Sequence, residues 1–138
     1  MLNQITKLEK LINSELSSKV LKSFIKNNEL MIEIDDNDLV EVIQFLKANE
    51  QCKFKQLIDI TAVDYIGNEN RFNMIYLFLS HEYNLRVNVT FNINENEIVN
   101  SLTKIFPSAN WMEREVFDMY GIKSVSYTHL TLPTKRIV

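Results

Sequence analysis

The sequence predicts an α+β domain in which a mainly antiparallel sheet of about four strands carries helices on one face. Two runs of extended character, residues 71–79 and 85–93, are neighbours in the chain, and the second alternates between apolar and polar residues. Segments with helical spacing lie on both sides of this pair. Hydrophobic residues make up 46% of the 138 residues, which is enough for one folded core.

The beginning of the chain is predicted to contain helices and one strand. Apolar residues recur there at helical spacing: Ile5, Leu8, Leu11, Ile12 and Leu16. This spacing predicts one or two amphipathic helices between residues 4 and 26. Leu30–Ile34 predicts a short strand that ends at an acidic turn. Asp38 or Asn37 is then expected to cap a second helix that runs to about Ala48.

The middle of the chain is predicted to supply the remaining strands. Residues 54–65 are ambiguous, although the β-branched residues of Ile58–Val63 favour a buried strand. Gly67–Asn70 predicts a turn between extended runs. Arg71–Leu79 and Leu85–Ile93 then form a half-buried antiparallel hairpin with one face in water, because the second run alternates strictly.

Three charged residues lie at the ends of these middle strands. Asp59 and Asp64 flank the buried strand, and Arg71 opens the next extended run. Either carboxylate is expected to pair with Arg71 across the sheet. Such a pair is most simply an ion pair that fixes the register, although the polar ends of strands also face partners in some proteins.

The end of the domain is predicted to hold two helices. Ile98–Phe106 has amphipathic helical spacing and precedes a proline that stops it. Asn110 is a favourable N-cap, and Glu113 follows it by three residues, which is the capping-box arrangement. A last helix is therefore expected to end at about Tyr120, where Gly121 can take a positive φ as the C′ residue.

This last helix is predicted to have one apolar stripe, formed by Met112, Val116, Met119 and Tyr120 with Phe117 at its edge. Glu113 projects into the same arc, where a carboxylate must act as a cap, form a pair or face a partner. Arg114 and Asp118 are four residues apart on the opposite side and can pair.

Aromatic residues crowd around the last two predicted helices: Phe106, Trp111, Phe117 and Tyr120. Core packing is the favoured interpretation of this group. A docking surface is the alternative, because aromatic residues and arginine are enriched at the centres of protein interfaces.

Composition argues against several functional classes. No apolar run approaches the roughly 20 residues that a transmembrane helix needs, and the amphipathic N-terminus of mixed charge does not resemble a signal peptide. Cys52 is the single cysteine, which excludes an internal disulfide and a cysteine-built metal site and favours a reducing compartment. The net charge is −3 without a basic cluster, so nucleic acid is not an expected partner. Two glycines and no Gly-rich motif argue against a phosphate cradle.

Candidate catalytic groups are few. Glu115 and Asp118 can meet on one helix face near Glu113, yet no carboxylate pair on a facing element and no metal-ligand spacing accompanies them. His81 is predicted to be exposed in the hairpin connection. Capping and ion pairing are the favoured roles of the carboxylates. A small stand-alone hydrolase that uses Glu113, Glu115 or His81 is one alternative, and a free-standing binding module is another.

The segment Ser124–Val138 does not continue the patterns before it. Its VSYTHLTLPT stretch resembles the in-frame translation of a common transposon sequencing adapter. We therefore predict that residues 1–123 are the natural domain, with helices at about 4–26 and the α+β core at about 30–123. Residues 124–138 are predicted to be an artefact, so His129 is assigned to no site.

Four stretches resemble the 30 kDa subunit family of respiratory complex I, known in bacteria as the C subunit of the proton-pumping NADH–quinone oxidoreductase. They are Leu57–Tyr65, Arg71–Ser80, Asn84–Phe91 and Ser101–Ile122. The last is the most specific, because it carries W-x-E-R-E-x-x-D-x-x-G-I behind a Pro-Ser-Ala-Asn turn. The likeness covers most of Leu30–Ile122. Members of the family continue with a docking segment that contains Gly-His-Pro-Asp-Leu-Arg-Arg, which is missing here.

This resemblance implies a structural subunit of the peripheral arm, with no catalytic, cofactor-binding or metal-binding residues of its own. NADH, flavin, iron–sulfur clusters and quinone would belong to partner subunits, and the main partner would be the large subunit that helps form the quinone cavity. It implies a peripheral place on the cytoplasmic face of the bacterial inner membrane, or on the matrix side in an organelle. The equivalent subunit of a membrane-bound hydrogenase or plastoquinone-linked complex is an alternative. Structural or partner-contacting residues would be Trp111, Glu113, Arg114, Glu115, Asp118, Tyr120, Gly121 and Ile122.

Overall fold

The computed structural model describes residues 4–67, 71–94 and 97–125. Its helices are α1 (Gln4–Glu15), α2 (Leu39–Ala48) and α3 (Ala109–Tyr120), with a 3₁₀ turn at Asp36–Asp38. Its strands are β1 (Val20–Lys26), β2 (Glu29–Ile34), β3 (Gln56–Asp64), β4 (Phe72–Ser80), β5 (Leu85–Ile93), β6 (Ile98–Asn100) and β7 (Lys123–Val125).

The main sheet has five strands in the order β1-β2-β5-β4-β3. Neighbours run antiparallel except β2 and β5, which are parallel. A separate two-stranded parallel sheet joins β6 to β7. The predicted α+β class and mainly antiparallel sheet are confirmed, with one strand more than the sequence predicted.

The helices lie on one face of the main sheet, as predicted. On that face the hydroxyl of Ser23 in β1 donates to Glu9 of α1 at 3.1 Å. The ring of Phe72 in β4 meets Tyr120 of α3 edge-on, with centroids 6.0 Å apart. Strand residues that alternate inward, such as those of β4 and β5, form the buried core beneath the helices.

The hairpin of β1 and β2 replaces the second half of the predicted N-terminal helices, so that prediction was wrong beyond α1. Asn27 and Asn28 have φ of 53° and 63°, and Lys26 pairs with Glu29 across them. Two consecutive residues with positive φ make the tight turn that matches the twist of paired strands. Asn tolerates this conformation better than most residues, so the Asn-Asn pair was a readable hairpin signal.

The predicted helix over Ile98–Phe106 is also wrong. Its first three residues form β6, and a turn follows in which the N–H groups of Ile105 and Phe106 both donate to the Leu102 carbonyl. The Ser101 N–H donates to Val125 of β7 at 2.9 Å. Because distant partners accept from the backbone N–H groups of Ser101 and Leu102, a short turn forms after β6 in place of a helix.

Three smaller expectations have different outcomes. Asp38 occupies the N-cap position of α2 without a side-chain cap bond; instead Asp35 accepts from the Asn37 N–H at 3.0 Å, one turn earlier. Gly67 has a φ of +94°, which suits the predicted turn, but residues 68–70 lie outside the described part. β7 crosses the predicted boundary after Lys123, and residues 126–138, including His129, lie outside the described residues.

Candidate functional site

The C-terminal end of α3 is formed as the sequence predicted. The helix ends at Tyr120, and Gly121 follows with a φ of +74°. The Gly121 N–H donates to the Phe117 carbonyl at 2.7 Å, which closes the last turn. Ile122 is buried directly after it.

The predicted capping box at the other end of α3 is absent. The helix begins at Ala109, one residue before the predicted cap, and the N-cap residue Ser108 makes no side-chain cap bond. Asn110 is therefore inside the first turn and exposed. Glu113 does not reach back along its own helix, because its side chain is directed toward another part of the chain.

Glu113 anchors α3 to the turn that follows β6. Its side chain is buried, with 7% of its surface exposed. One carboxylate oxygen accepts from the Leu102 N–H at 2.8 Å, and the other accepts from the Ser101 hydroxyl at 2.7 Å. The Ser101 oxygen in turn accepts from the Thr103 N–H at 3.2 Å. Glu113 thus satisfies a buried backbone donor of a distant segment, a role that the sequence analysis missed.

The surroundings of Glu113 are apolar enough to affect two pKa values. Burial raises the pKa of Glu113, against the opposing effect of its bonds from Leu102 and Ser101. Tyr76 of β4 is fully buried, and burial together with the Glu113 charge raises the pKa of its phenol well above the usual value. The Tyr76 hydroxyl has no hydrogen-bond partner among the described residues, and its ring stacks on Phe91 at 5.6 Å.

The outward side of α3 is more apolar than the sequence predicted. Trp111 is 57% exposed, Phe117 42% and Met119 68%. The buried residues of the helix are Ala109, Met112, Glu113 and Val116. The stripe prediction was therefore right for Met112 and Val116 and wrong for Met119, because the buried side of α3 is turned toward Ala109 and Glu113.

The aromatic group divides between core and surface. Phe106 is buried and packs on Phe78 with ring centroids 5.5 Å apart. Tyr120 is half-buried against Phe72. Core packing, the favoured interpretation, is thus correct for these two and wrong for Trp111 and Phe117.

The three carboxylates of α3 do not form one group. Glu115 and Asp118 are exposed, whereas Glu113 is buried on the other side. Arg114 is exposed as well, and it makes no ion pair with Asp118 within 4.0 Å. In the described ranges, no cluster of three His, Cys, Asp or Glu residues could hold a metal ion.

His81 is exposed in the turn after β4, as predicted, and contacts the side-chain carbonyl of Gln56. No hydrogen bond of the described residues joins it to Glu113 or Glu115. Cys52 is a free, buried cysteine, and burial raises the pKa of its thiol to about 11. In the described residues, His81 therefore has a different hydrogen-bond partner from the buried Glu113.

The ion pair predicted at the strand ends is confirmed for Asp64. Arg71 donates to both oxygens of Asp64, at 2.7 and 2.9 Å, and these bonds lower the pKa of the carboxyl. Asp59 instead accepts from the Ile60 N–H at 2.9 Å. The bidentate geometry supports the register-fixing interpretation.

A shallow groove of about 410 Å³ lies between α3 and β7. Its lining consists of Asn110, Glu113, Arg114, Phe117, Lys123, Ser124 and Val125. Arg114 and Lys123 give it two cationic side chains, and Phe117 adds an aromatic wall. Together with the exposed side of α3, this groove makes up the candidate docking surface.

Within the described ranges, the helices are too short or too polar to cross a membrane.

The profile of the family described as respiratory-chain NADH dehydrogenase, 30 Kd subunit, matches residues 32–134. Among curated relatives, the C subunit of NADH-quinone oxidoreductase from Roseobacter denitrificans is 44% identical over 103 residues, which cover 75% of this chain and 52% of the relative. The same protein from Ruegeria pomeroyi is 46% identical over 94 residues, 68% and 47% of the two chains. The chain thus spans about half the length of these relatives.

A solved structure of the membrane-bound sulfane sulfur reductase, an archaeal respiratory membrane complex, contains a chain of the same fold. The TM-score is 0.77 with 18% identity, over 93% of this chain and 74% of that chain. The family match covers most of the sequence, including all of the α3 motif. The chain belongs to the 30 kDa subunit family of respiratory-chain NADH dehydrogenase.

Proposed function

We propose that this chain is a non-catalytic structural subunit of the peripheral arm of a proton-translocating NADH–quinone oxidoreductase. It would dock through the exposed side of α3 on the large subunit that helps form the quinone cavity. NADH, flavin, iron–sulfur clusters and quinone would be bound by partner subunits, on the cytoplasmic side of the membrane. The observation that carries the proposal is that α3 is anchored on one side by Glu113 and exposes large apolar residues on the other.

The anchoring matters because a fixed helix loses little conformational freedom on binding. Met112 and Val116 pack into the core, and Glu113 ties the middle of α3 to the turn after β6. The left-handed Gly121 ends the helix at a defined residue. The exposed side chains are therefore presented from a rigid support, as interface residues on secondary structure usually are.

The chemistry of the exposed side suits a protein partner. Trp and Met are enriched at interface centres, and Trp111 and Met119 are each more than half exposed. Arg114 and Asp118 form no ion pair with each other, so both side chains can pair with complementary charges on a partner. Contiguous exposed apolar patches mark sites where proteins, membranes or ligands bind.

The test uses the chain with residues 126–138 replaced by a family-like extension containing Gly-His-Pro-Asp, so that β7 is kept. This protein, tagged, is incubated with membranes from a strain in which the gene for the equivalent subunit is deleted, and recovery of the large quinone-site subunit is quantified. The double variant Trp111→Ala/Met119→Ala should reduce recovery about tenfold or more, because buried aromatic anchors dominate interface energies. Ile66→Ala removes an apolar side chain that is 81% exposed elsewhere and should leave recovery unchanged.

Equal recovery by the α3 variant and the unmodified protein would refute docking through α3. Turnover of an ester, amide or glycoside by the isolated chain, abolished by Glu113→Gln, would refute the non-catalytic role. Thermal melts of all variants show that any loss of binding does not result from unfolding.

A further inference from the structure

We propose that the free edge of β1 binds an extended segment of a partner protein, which adds a sixth strand to the main sheet. The bound segment carries an acidic residue, an apolar residue and a second acidic residue at alternate positions. This surface is separate from the exposed side of α3, and the proposal does not rest on docking through α3.

β1 is an edge strand with unused pairing capacity. Among the described strands its one neighbour is β2, so its other side presents unpaired backbone N–H and C=O groups. Three apolar side chains on it are exposed: Leu21 by 65%, Phe24 by 44% and Ile25 by 37%. An edge of this kind is a template for strand addition.

The residues of β1 that face away from the helices have a defined charge pattern. Lys22, Phe24 and Lys26 lie on that face, opposite Glu33, Met31 and Glu29 of β2. β2 thus shows, within this chain, the sequence pattern that pairs with β1: Glu-x-Met-x-Glu. A partner strand with the same pattern would meet the same three side chains from the free edge.

Both lysines are available to such a partner. Neither Lys22 nor Lys26 makes an ion pair within 4.0 Å in the described part of the chain. The Lys22 ammonium lies 5.9 Å from the centroid of the Phe24 ring. Glu29 is engaged elsewhere, because it accepts from the Asn88 amide at 3.3 Å.

A second copy of the chain is a poor occupant of this edge. The regular part of β1 runs from Lys22 to Lys26, since the register shifts between Val20 and Lys22. An antiparallel pair of two such strands, centred on Phe24, would place Lys22 of each copy opposite Lys26 of the other. Like charges directly opposite each other destabilise a strand pair, so the pattern selects an acidic partner.

The two candidate surfaces belong to opposite edges of the main sheet. α3 packs beside β3, which is the last strand in the order β1-β2-β5-β4-β3. A protein that offers one surface at each edge can bridge two partners. Because the two surfaces share no residues, loss of binding at β1 can be measured separately from loss of binding at α3.

The experiment uses the full chain, labelled with ¹⁵N, and a synthetic peptide that copies β2 (ELMIEI, flanked by serines). The peptide should shift the backbone amide signals of β1 and leave those of α3 in place. Lys22→Gln/Lys26→Gln should weaken binding by about threefold to tenfold, because two favourable cross-strand charge pairs are lost. The matched variant Lys10→Gln/Lys55→Gln removes two exposed positive charges elsewhere and should bind as the unmodified chain does.

Three results would overturn the proposal. The first is absence of binding, or signal shifts outside β1, in a chain whose spectrum shows that it is folded. The second is equal binding of a peptide in which both glutamates are lysine, because the charge pattern would then be irrelevant. The third is a concentration-dependent shift of the β1 signals without peptide, which would make a second copy the occupant.

Discussion

The carboxylate of Glu113 accepts a hydrogen bond of 2.8 Å from the backbone N–H of Leu102, which is buried between α3 and the turn after β6. The two residues are eleven positions apart. This bond positions the start of the turn on the helix, and the turn supports β6 and the small sheet with β7. A single side chain therefore ties α3 to the turn that follows β6.

Replacing Glu113 should separate its hydrogen-bonding role from its charge. Glu113→Ala leaves the Leu102 N–H without a partner and should lower the free energy of unfolding by about 2–3 kcal/mol. Glu113→Gln keeps a carbonyl acceptor for Leu102, and Ser101 can accept from the new amide, so we expect a loss below about 1 kcal/mol. Urea denaturation measures both. If the Gln variant is as unstable as the Ala variant, the negative charge itself is required.

Asp36 should make stability depend on pH. Burial, followed by the neighbouring Glu97 carboxyl, raises the pKa of Asp36 from 3.8 to about 6. The folded state then holds this proton more tightly than the unfolded state, so the contribution of Asp36 to stability is fully present below about pH 4 and is lost as the pH rises through about 6. Asp36→Asn should therefore stabilise the protein above pH 6, by less than about 1 kcal/mol because the side chain is partly exposed.

The measurement for Asp36→Asn is a series of urea denaturation curves between about pH 4 and about pH 8. The difference from the unmodified protein should shrink as the pH falls. Glu15→Gln removes an exposed carboxylate at the end of α1 and serves as the control. A stabilisation that is the same at all pH values would show that the Asp36 proton is not its cause.

Two adjacent residues of α3 should differ strongly in their contribution to stability. Met112 is 6% exposed and packs into the core, so Met112→Ala should lower the free energy of unfolding by about 2–3 kcal/mol. Trp111 is 57% exposed, and Trp111→Ala should change it by less than about 0.5 kcal/mol. Thermal or urea unfolding of the isolated chain measures the free energy of unfolding of both variants. A large loss in Trp111→Ala would mean that this side chain supports the fold rather than a partner contact.

Gly121 should be sensitive to substitution for reasons of backbone conformation alone. Its φ of +74° lies in the left-handed region, and in the described part of the chain no atom lies within 4 Å of a Cβ added there. Gly121→Ala should therefore cost about 1–2 kcal/mol through backbone strain, without a clash. Asn tolerates this region better, so Gly121→Asn should cost less. Equal costs, measured by urea denaturation, would point to a packing effect instead.

Short sequence patterns predicted those elements whose conformation depends on residues close together in the chain. Leu85–Ile93 forms β5 with the predicted bounds, since strict alternation of apolar and polar residues allows only one face of the strand to be buried. Gly121 ends α3 as expected, because a helix stop depends on one backbone conformation. The Asn27-Asn28 turn was equally local, and β1 was missed because this turn signal was not recognised.

The remaining differences came from tertiary contacts that no local pattern contains. Glu113 had a plausible local partner in the capping box, but the distant Leu102 N–H takes its carboxylate. Ile98–Phe106 has helical spacing, yet β7 accepts from the Ser101 N–H and Glu113 accepts from the Leu102 N–H. The exposure of Trp111 could not be read from its hydrophobicity, because an exposed apolar residue and a buried one look alike in sequence.

The parallel pairing of β2 with β5 has a consequence for how the chain folds. Met31 is paired with Asn88, 57 positions later, whereas β1–β2 and β3–β4–β5 are each joined by short connections. Closing a long loop costs conformational entropy before any contact across it forms, which slows folding. We expect the β1–β2 hairpin and the three-stranded β3–β4–β5 unit to form early and to join along this seam in the rate-limiting step. Amide hydrogen exchange during refolding would then show protection between β2 and β5 last.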